Sequence, residues 1–535
     1  MGQAAWKEGN PAAYDPDEAY YNLLVEGFRS GQLNLKKDVP LGLVKLADPY
    51  DPVANAPYRD NGLQDISYYK GKLYLYFGVT PALVFFWPYA MLTGHYLFHK
   101  QAVAIFCAIG FLASVALMCA LRRRYFPEVD GMVVAASALA LGLATCVPAM
   151  LQRPDVYEVP ISCAYAMVML ALAGIWHALH DPSRRCWWLA AASLAYGLAV
   201  GARPTVLFGA AILLAPVVHA WITSPEPAGR RWLVVSRLLA AAVVPLLLIG
   251  FGLMLYNYLR FDNPLEFGEH YQLSSFKPNQ MKVFFGLKFL WYNFRVYFLQ
   301  VVHWGGSFPY VEGFRRPAAP AGELGLEYPF GVLPNIPLAW MALVSSLAWQ
   351  KRMPGERLVL RLFIAVLAVL FGIPALTVSL FAGASVRYQV DFMPALLMLS
   401  VCGVFGLERA LAAKPWWRGV GRGVWVGGLL FSVTVNLLVG YKLAAQQRFY
   451  TGLDQFAHAR LTEAITCFQE SLRIDPGYAA VHCDLAVLLV QSGRLSEAIS
   501  EYEQTLRIDP NFPGAREGLL QARQKRQRQL TSPTN

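Results

Sequence analysis

Between residues 101 and 443 the sequence returns again and again to long stretches with almost no charge, and this recurrence limits what the chain can fold into. A bilayer hydrocarbon core is about 30 Å thick, and about 20 apolar residues of helix cross it. Such runs occupy 101–121, 131–151, 160–179, 186–202, 205–222, 233–258, 335–350, 358–383, 389–410 and 422–443, with a long connection at 262–334. The expected fold is all-α: a polytopic transmembrane helix bundle of about ten spans over 101–443. An eleventh stretch, 73–98, is interrupted by Gly78, Pro81 and Pro88 and is rich in Tyr, Phe and Trp, which favour the membrane interface. Residues 1–100 are therefore expected to form an outer-face segment with membrane-lying helices. With only 15% of residues charged and 13% aromatic, a cytosolic enzyme and a disordered chain are both excluded.

The net charge of +11 is mostly topology. Arg122, Arg123 and Arg124 follow the first span. Arg184 and Arg185, Arg230 and Arg231, Lys351 with Arg352 and Arg357, and Lys414 with Arg418 and Arg422 follow every second span thereafter. Cytoplasmic loops accumulate Lys and Arg, so these loops are expected inside. The turn 153–158, the Arg203-Pro204 break, the connection 262–334 and the segment 386–392 then face outward, as do residues 1–72. No basic stripe interleaved with aromatics remains to bind nucleic acid. This topology leaves nothing upstream to carry residue 1 across the bilayer. Either a preceding apolar helix is missing, which is preferred, or 73–98 crosses and residues 1–72 stay inside.

A different pattern begins near residue 445. LTEAITCFQESLRIDP at 461–476 recurs as LSEAISEYEQTLRIDP at 495–510, an offset of 34 residues that is the tetratricopeptide period. In that frame Gly452 and Ala486 are the small residues of the first helices. Ala464 and Ala498 let paired helices approach, Phe468 and Tyr502 are the aromatic knobs, and Pro476 and Pro510 close each unit. Two repeats, 445–478 and 479–512, with a capping helix to about 528 and a disordered tail at 529–535, form an α-solenoid expected outside the membrane. A protein partner is expected there. The eight cysteines form no CxxC or Cys/His cluster, so no structural metal site is expected. Cys467 and Cys483 could oxidise outside, though both also suit helix packing.

Asp and Glu are scarce and gather on the outer side. Asp17 and Glu18 precede a helical stretch, AYYNLLVEGFRSG, and Asp155 and Glu158 sit in an outer turn. Paired carboxylates at an interface can deprotonate a hydroxyl or bind a divalent ion, so a metal dependence stays open; they can equally cap a helix. Arg153, Arg203 and Arg387 fall outside the positive-inside pattern. An arginine near hydrocarbon needs an anionic partner or must snorkel, and a lipid phosphate offers bidentate pairing. For Arg203 the two readings balance; for Arg387, in VRYQVDFMP, a phosphate is favoured. His270 and His303 are expected to be hydrogen-bonding loop residues.

These segments carry a resemblance. The order DEAYY, GKLYLYFGVTPALVFFWPYAMLTG, span, RRRYF, an acid-bearing outer turn and RYQVDFMP before a late span resembles the polytopic GT-C glycosyltransferases over residues 14–443. The nearest groups are the lipid-linked protein mannosyltransferases and aminoarabinose transferases. The repeat tail is similar to that of the lumenal repeat-bearing mannosyltransferases. The resemblance implies transfer of a sugar from a polyprenyl-phosphate lipid to an acceptor at the outer face, in a bacterial inner membrane. It implies Asp17, of the Asp17-Glu18 pair, as catalytic base, and Asp155 or Glu158 as the second outer acid. Lys72 and the Arg387-Tyr388 motif would lie at the donor phosphate, where Arg203, from its place between two spans, is a further candidate. The usual first span is absent and a single proline, Pro81, stands where relatives often have two. Two other readings compete: a non-catalytic membrane-anchored repeat scaffold, and a transporter of lipid-linked sugars, which the scarcity of mid-span charge disfavours.

Overall fold

The computed structural model describes residues 19–225, 227–277, 284–313, 317–327 and 329–531. These fall into two compact units: one holds the described residues up to Val302 and from 317 to Asn436, the other holds His303–Gly313 and the residues from Leu437 on.

In the first unit seven helices are long and apolar enough to cross a membrane, counting the start of the last, Pro415–Ala457. The other six are His99–Tyr125, Glu158–His180, Pro204–Thr223, Ala228–Phe261, Pro354–Leu380 and Met393–Ala410. The chain is an integral membrane protein with an all-α fold. Three expected spans fall outside this group. The run at 131–151 breaks into Gly131–Leu143 and Val147–Leu151, because Thr145, Cys146 and Pro148 interrupt the helical ladder. The runs at 186–202 and 335–350 become Arg185–Ala202 and Pro337–Ala348. The helix Ala228–Phe261 turns Trp232, Leu239, Leu247, Leu248, Phe251 and Leu255 outward, an apolar face suited to lipid.

The stretch 73–98 is not a pair of helices. Lys72–Leu75 pairs antiparallel with Ile66–Tyr69 in a hairpin, and only Ala82–Thr93 is helical. The alternation of Leu73, Tyr74 and Leu75 is that of a strand, and Lys70 and Gly71 supply the positive-φ turn.

Close backbone contact sets two crossings. At Gly403 a Cβ would collide with the Met341 carbonyl oxygen, so only glycine lets Met393–Ala410 lie flush on Pro337–Ala348. At Gly78 it would meet the Ala202 carbonyl oxygen, which brings the end of the hairpin against the residue before Arg203.

Charge sorts to the two ends of this unit. At one end Tyr125 bonds His180 at 2.8 Å, Arg352 donates to the Tyr125 carbonyl, Arg409 pairs with Glu128 at 3.9 Å and Arg422 bonds Glu408 at 2.8 Å. Helices starting or ending there arrive at the opposite end at Glu158, Arg203 and Asp391.

In the second unit Leu461–Ile474, Ala479–Gln491, Leu495–Ile508 and Ala515–Thr531 stack behind the end of Pro415–Ala457. That 43-residue helix does not stop where the apolar run ends near 443, because no proline or glycine stands between Tyr441 and Thr451. Phe449, Ala464, Phe468, Leu485 and Ala498 form one buried cluster, and Cys483, Ala486, Ile499, Tyr502 and Ala515 another. Gly452 is the small partner of Phe468, where a Cβ would overlap the ring. The cysteines are free, with Cys467 and Cys483 buried in this packing. The segment His303–Gly313 joins the same unit: Phe308 packs edge-to-face on Tyr441 at 5.4 Å, and Lys442 pairs with Asp475 at 2.5 Å.

Candidate functional site

The end of the first unit away from the basic loops holds a linked group of acids, arginines and tyrosines drawn from five parts of the chain. The turn before the helix Glu158–His180 supplies three of them. Asp155 donates its backbone N–H to Glu158 Oε2 at 3.1 Å, and Glu158 N–H returns to the Asp155 carbonyl at 3.1 Å. These two bonds close the turn that leads into the helix, whose N-cap, Tyr157, makes no side-chain capping bond. The other Glu158 oxygen, Oε1, lies 3.3 Å from Arg387 Nη1. Between them Tyr157 turns its ring over the Arg387 guanidinium at 4.8 Å and its hydroxyl onto Asp65 Oδ2 at 2.5 Å.

Arg387 is reached from a second direction. Gly325–Glu327 pairs in parallel with Gly383–Ser385, which sets Glu327 opposite Ser385, two residues before Arg387. Ser385 Oγ donates to Glu327 Oε2 at 3.1 Å, and Arg387 Nη2 lies 3.0 Å from the same oxygen. Arg153 adds a longer contact to Glu327 at 3.9 Å. Burial pushes the Glu327 carboxyl up, but Arg387 and Arg153 outweigh it and hold the group below the usual carboxylate range.

Arg203 is held differently. It follows the helix Arg185–Ala202, and its Nε donates to both oxygens of Asp391, at 2.8 and 2.7 Å, with Thr205 Oγ1 adding 3.1 Å to Oδ2. No described residue accepts from its two terminal nitrogens at hydrogen-bond distance. Tyr388 lies between the two cations, 4.7 Å from Arg203 and 5.6 Å from Arg387. The result is a stack: Arg203, Tyr388, Arg387, Tyr157. All four stay partly exposed.

Such a stack suits an anion. An Arg203 gripped through Nε keeps the planar pair of terminal nitrogens uncommitted to described acceptors, and such a pair fits a phosphate bidentately. Arg387 has both terminal nitrogens committed to carboxylates and is mainly a structural cation.

The expected site residues therefore divide. Asp155, Glu158, Arg203, Arg387 and Tyr388 come together. Lys72 opens the strand Lys72–Leu75, is exposed, and makes no side-chain bond to this group among the described residues. Asp17 and Glu18 lie outside the described residues. Sequence reading missed Asp65, Tyr157, Glu327 and Asp391; Tyr157 and Asp391 stand inside the quoted motifs, so their spacing from Glu158 and Arg387 was a usable signal. Glu269 also borders this region, its charge acting on Tyr76, which in turn senses Asp65, Tyr388 and Arg203. Burial pushes the Glu269 carboxyl up to about 7. Among the described residues no group of three or more His, Cys, Asp and Glu is arranged to hold a metal ion.

A family model described as tetratricopeptide repeat matches residues 455–522. No curated protein is similar to the chain at a significant level. A solved structure, the crystal structure of ArnT from Cupriavidus metallidurans bound to undecaprenyl phosphate, is similar at 17% identity, covering 87% of this chain and 76% of that one, with a TM-score of 0.39. Likeness at that level defines neither a family nor a site residue for this chain.

Proposed function

We propose that this integral membrane protein is a glycosyltransferase that moves a sugar from a polyprenyl-phosphate lipid to an acceptor at the outer face, with the repeats holding a protein acceptor or partner. The observation that carries this reading is Arg203, partly exposed and gripped only through Nε among the described residues, beside Tyr388 and Arg387 at the end of an apolar bundle. A prenyl-phosphate sugar already carries its leaving group, so the protein must bind the phosphate, hold the acceptor behind the anomeric carbon and remove its proton. Arg203 would take the departing phosphate, with charge-assisted bonds that strengthen as negative charge develops. Arg387, locked by Glu158 and Glu327, would keep the stack rigid and the local potential positive. The resemblance implies Asp17 as the base, with Asp155, Glu158 and Lys72 in supporting places.

The active end faces outward on this reading because the loops at the other end carry the arginines and lysines that retention in the cytoplasm favours. The repeats are expected on the same outer side, because the charge alternation that leaves the connection 262–334 outside also leaves residues after the last span outside.

The test is direct. Purified protein in detergent or vesicles is incubated with labelled prenyl-phosphate sugars, and free carrier lipid is measured. Release that is lost in Arg203→Gln supports the transferase; no release from any donor by the wild-type chain leaves the anchored repeat scaffold as the better account.

A further inference from the structure

Three of the described carboxylates at this end, Glu158, Glu327 and Asp391, are each held by an arginine. Among the described residues Asp65 takes its side-chain hydrogen bonds from neutral groups: the Tyr157 hydroxyl donates to Oδ2 at 2.5 Å and the Gln64 amide to Oδ1 at 3.0 Å. Asp65 stays partly exposed, and a carboxylate has lone pairs left after two such bonds. Its backbone is left-handed, with φ 57°, in a turn locked by Asp65 N–H on the Leu273 carbonyl and Leu273 N–H on the Ile66 carbonyl, both 2.9 Å. A non-glycine residue held there by surrounding structure is a common mark of a functional position. Tyr157 then ties it to the cation stack through its ring over Arg387 and its edge on Phe77, 5.2 Å away.

We infer that Asp65, in place of the Asp17 that the resemblance implies, is the catalytic base that takes the acceptor's proton and that Tyr157 is the positioning residue that aims it; this rests on the transferase reading. In the step, the acceptor hydroxyl oxygen forms a bond to the anomeric carbon as its proton passes to Asp65. The bond from that carbon to the phosphate oxygen breaks, and its electron pair leaves with the polyprenyl phosphate toward Arg203. Asp65 returns the proton to water.

The titratable and charged groups around Asp65 are Tyr20, Tyr76, Tyr157, Asp155 and Arg387. Burial raises the Asp65 carboxyl, and the Tyr157 hydrogen bond opposes that by favouring the charged form. Removing the hydroxyl therefore raises the carboxyl further. The acid side of the rate profile should move to higher pH in Tyr157→Phe, a change that a purely structural tyrosine would not cause.

The experiment measures carrier release against pH for wild type, Asp65→Asn, Tyr157→Phe, Glu269→Gln and Asp17→Asn, with folding checked by gel filtration and melting. Asparagine is the conservative choice at Asp65 because it tolerates a left-handed backbone. The expected result is a loss of about 10²- to 10⁴-fold in kcat for Asp65→Asn, the range supplied by a positioned base, with KM for the donor little changed. Tyr157→Phe should stay active with its acid limb displaced upward. A folded Asp65→Asn within tenfold of wild type, or an unmoved limb in Tyr157→Phe, overturns the assignment while leaving the transferase intact. A limb that vanishes only in Glu269→Gln or Asp17→Asn gives the base to that residue instead. If the wild-type chain releases no carrier from any donor, the transferase reading fails first and this inference with it.

Discussion

Arg203 and Arg387 lie on either side of one tyrosine, yet they are held by different atoms, and that difference sets what each can do. Arg203→Lys keeps the charge but not the planar fork, and lysine cannot bond Asp391 through Nε and a phosphate through terminal nitrogens at once. A charge-assisted hydrogen bond contributes about 1.5–3 kcal/mol, so the donor should bind roughly tenfold to a hundredfold more weakly, read as a rise in its KM or in equilibrium binding. Glu327 offers a pH test at the same scale. Its carboxyl lies below the usual range when folded, so the stability it adds is present above pH 4.5, its ordinary value, and is lost as pH falls through the lower folded value. The melting temperature in detergent should decline on acidification through that window, and Glu327→Gln should flatten the decline. An identical acid profile in the variant would mean that the Arg387 contact adds no stability.

Among elements, the crossing of Pro337–Ala348 over Met393–Ala410 depends on one glycine. A methyl at Gly403 has no room against the Met341 carbonyl, so Gly403→Ala must push the helices apart. Overpacking of this kind typically costs about 1–3 kcal/mol. A lowered melting temperature is expected, together with reduced carrier release, because Met393–Ala410 begins two residues after Asp391, the carboxylate that grips Arg203. Unchanged melting would show that the bundle yields there at no cost. The hairpin Ile66–Leu75 has a comparable role: Gly78, just beyond it, lies against the Ala202 carbonyl, Phe77 packs on Tyr157, and the residue before the first strand is Asp65.

For the whole molecule, the governing feature is that basic loops and the acid–arginine group occupy opposite ends of one helical unit. If positive charge retains the basic loops in the cytoplasm, reporter fusions at residues 60 and 530 should signal outside and a fusion at 125 inside. A cytoplasmic signal from position 60 would separate the Asp65 hairpin from the outer leaflet and end the proposed mechanism, whatever the single substitutions did.

Seven of the ten expected spans, the repeat and the alternation of basic loops along the chain were legible in the sequence alone. Each is a local, periodic pattern, and a run of apolar residues in lipid has few ways to satisfy its backbone other than as helix. The same locality identified Glu158, Arg203, Arg387 and Tyr388, which stand where the apolar pattern breaks. It could not identify their partners. Arg387 and Glu158 are 229 residues apart, and Tyr157 and Asp65 are 92 apart. Nothing periodic links the connections that carry Asp65, Glu327 and Asp391 to the helices they join. Tertiary folding decided which carboxylates an arginine neutralises and which stays available for a proton, because ion pairing depends on a few ångströms of separation that only helix crossings and two short sheets define.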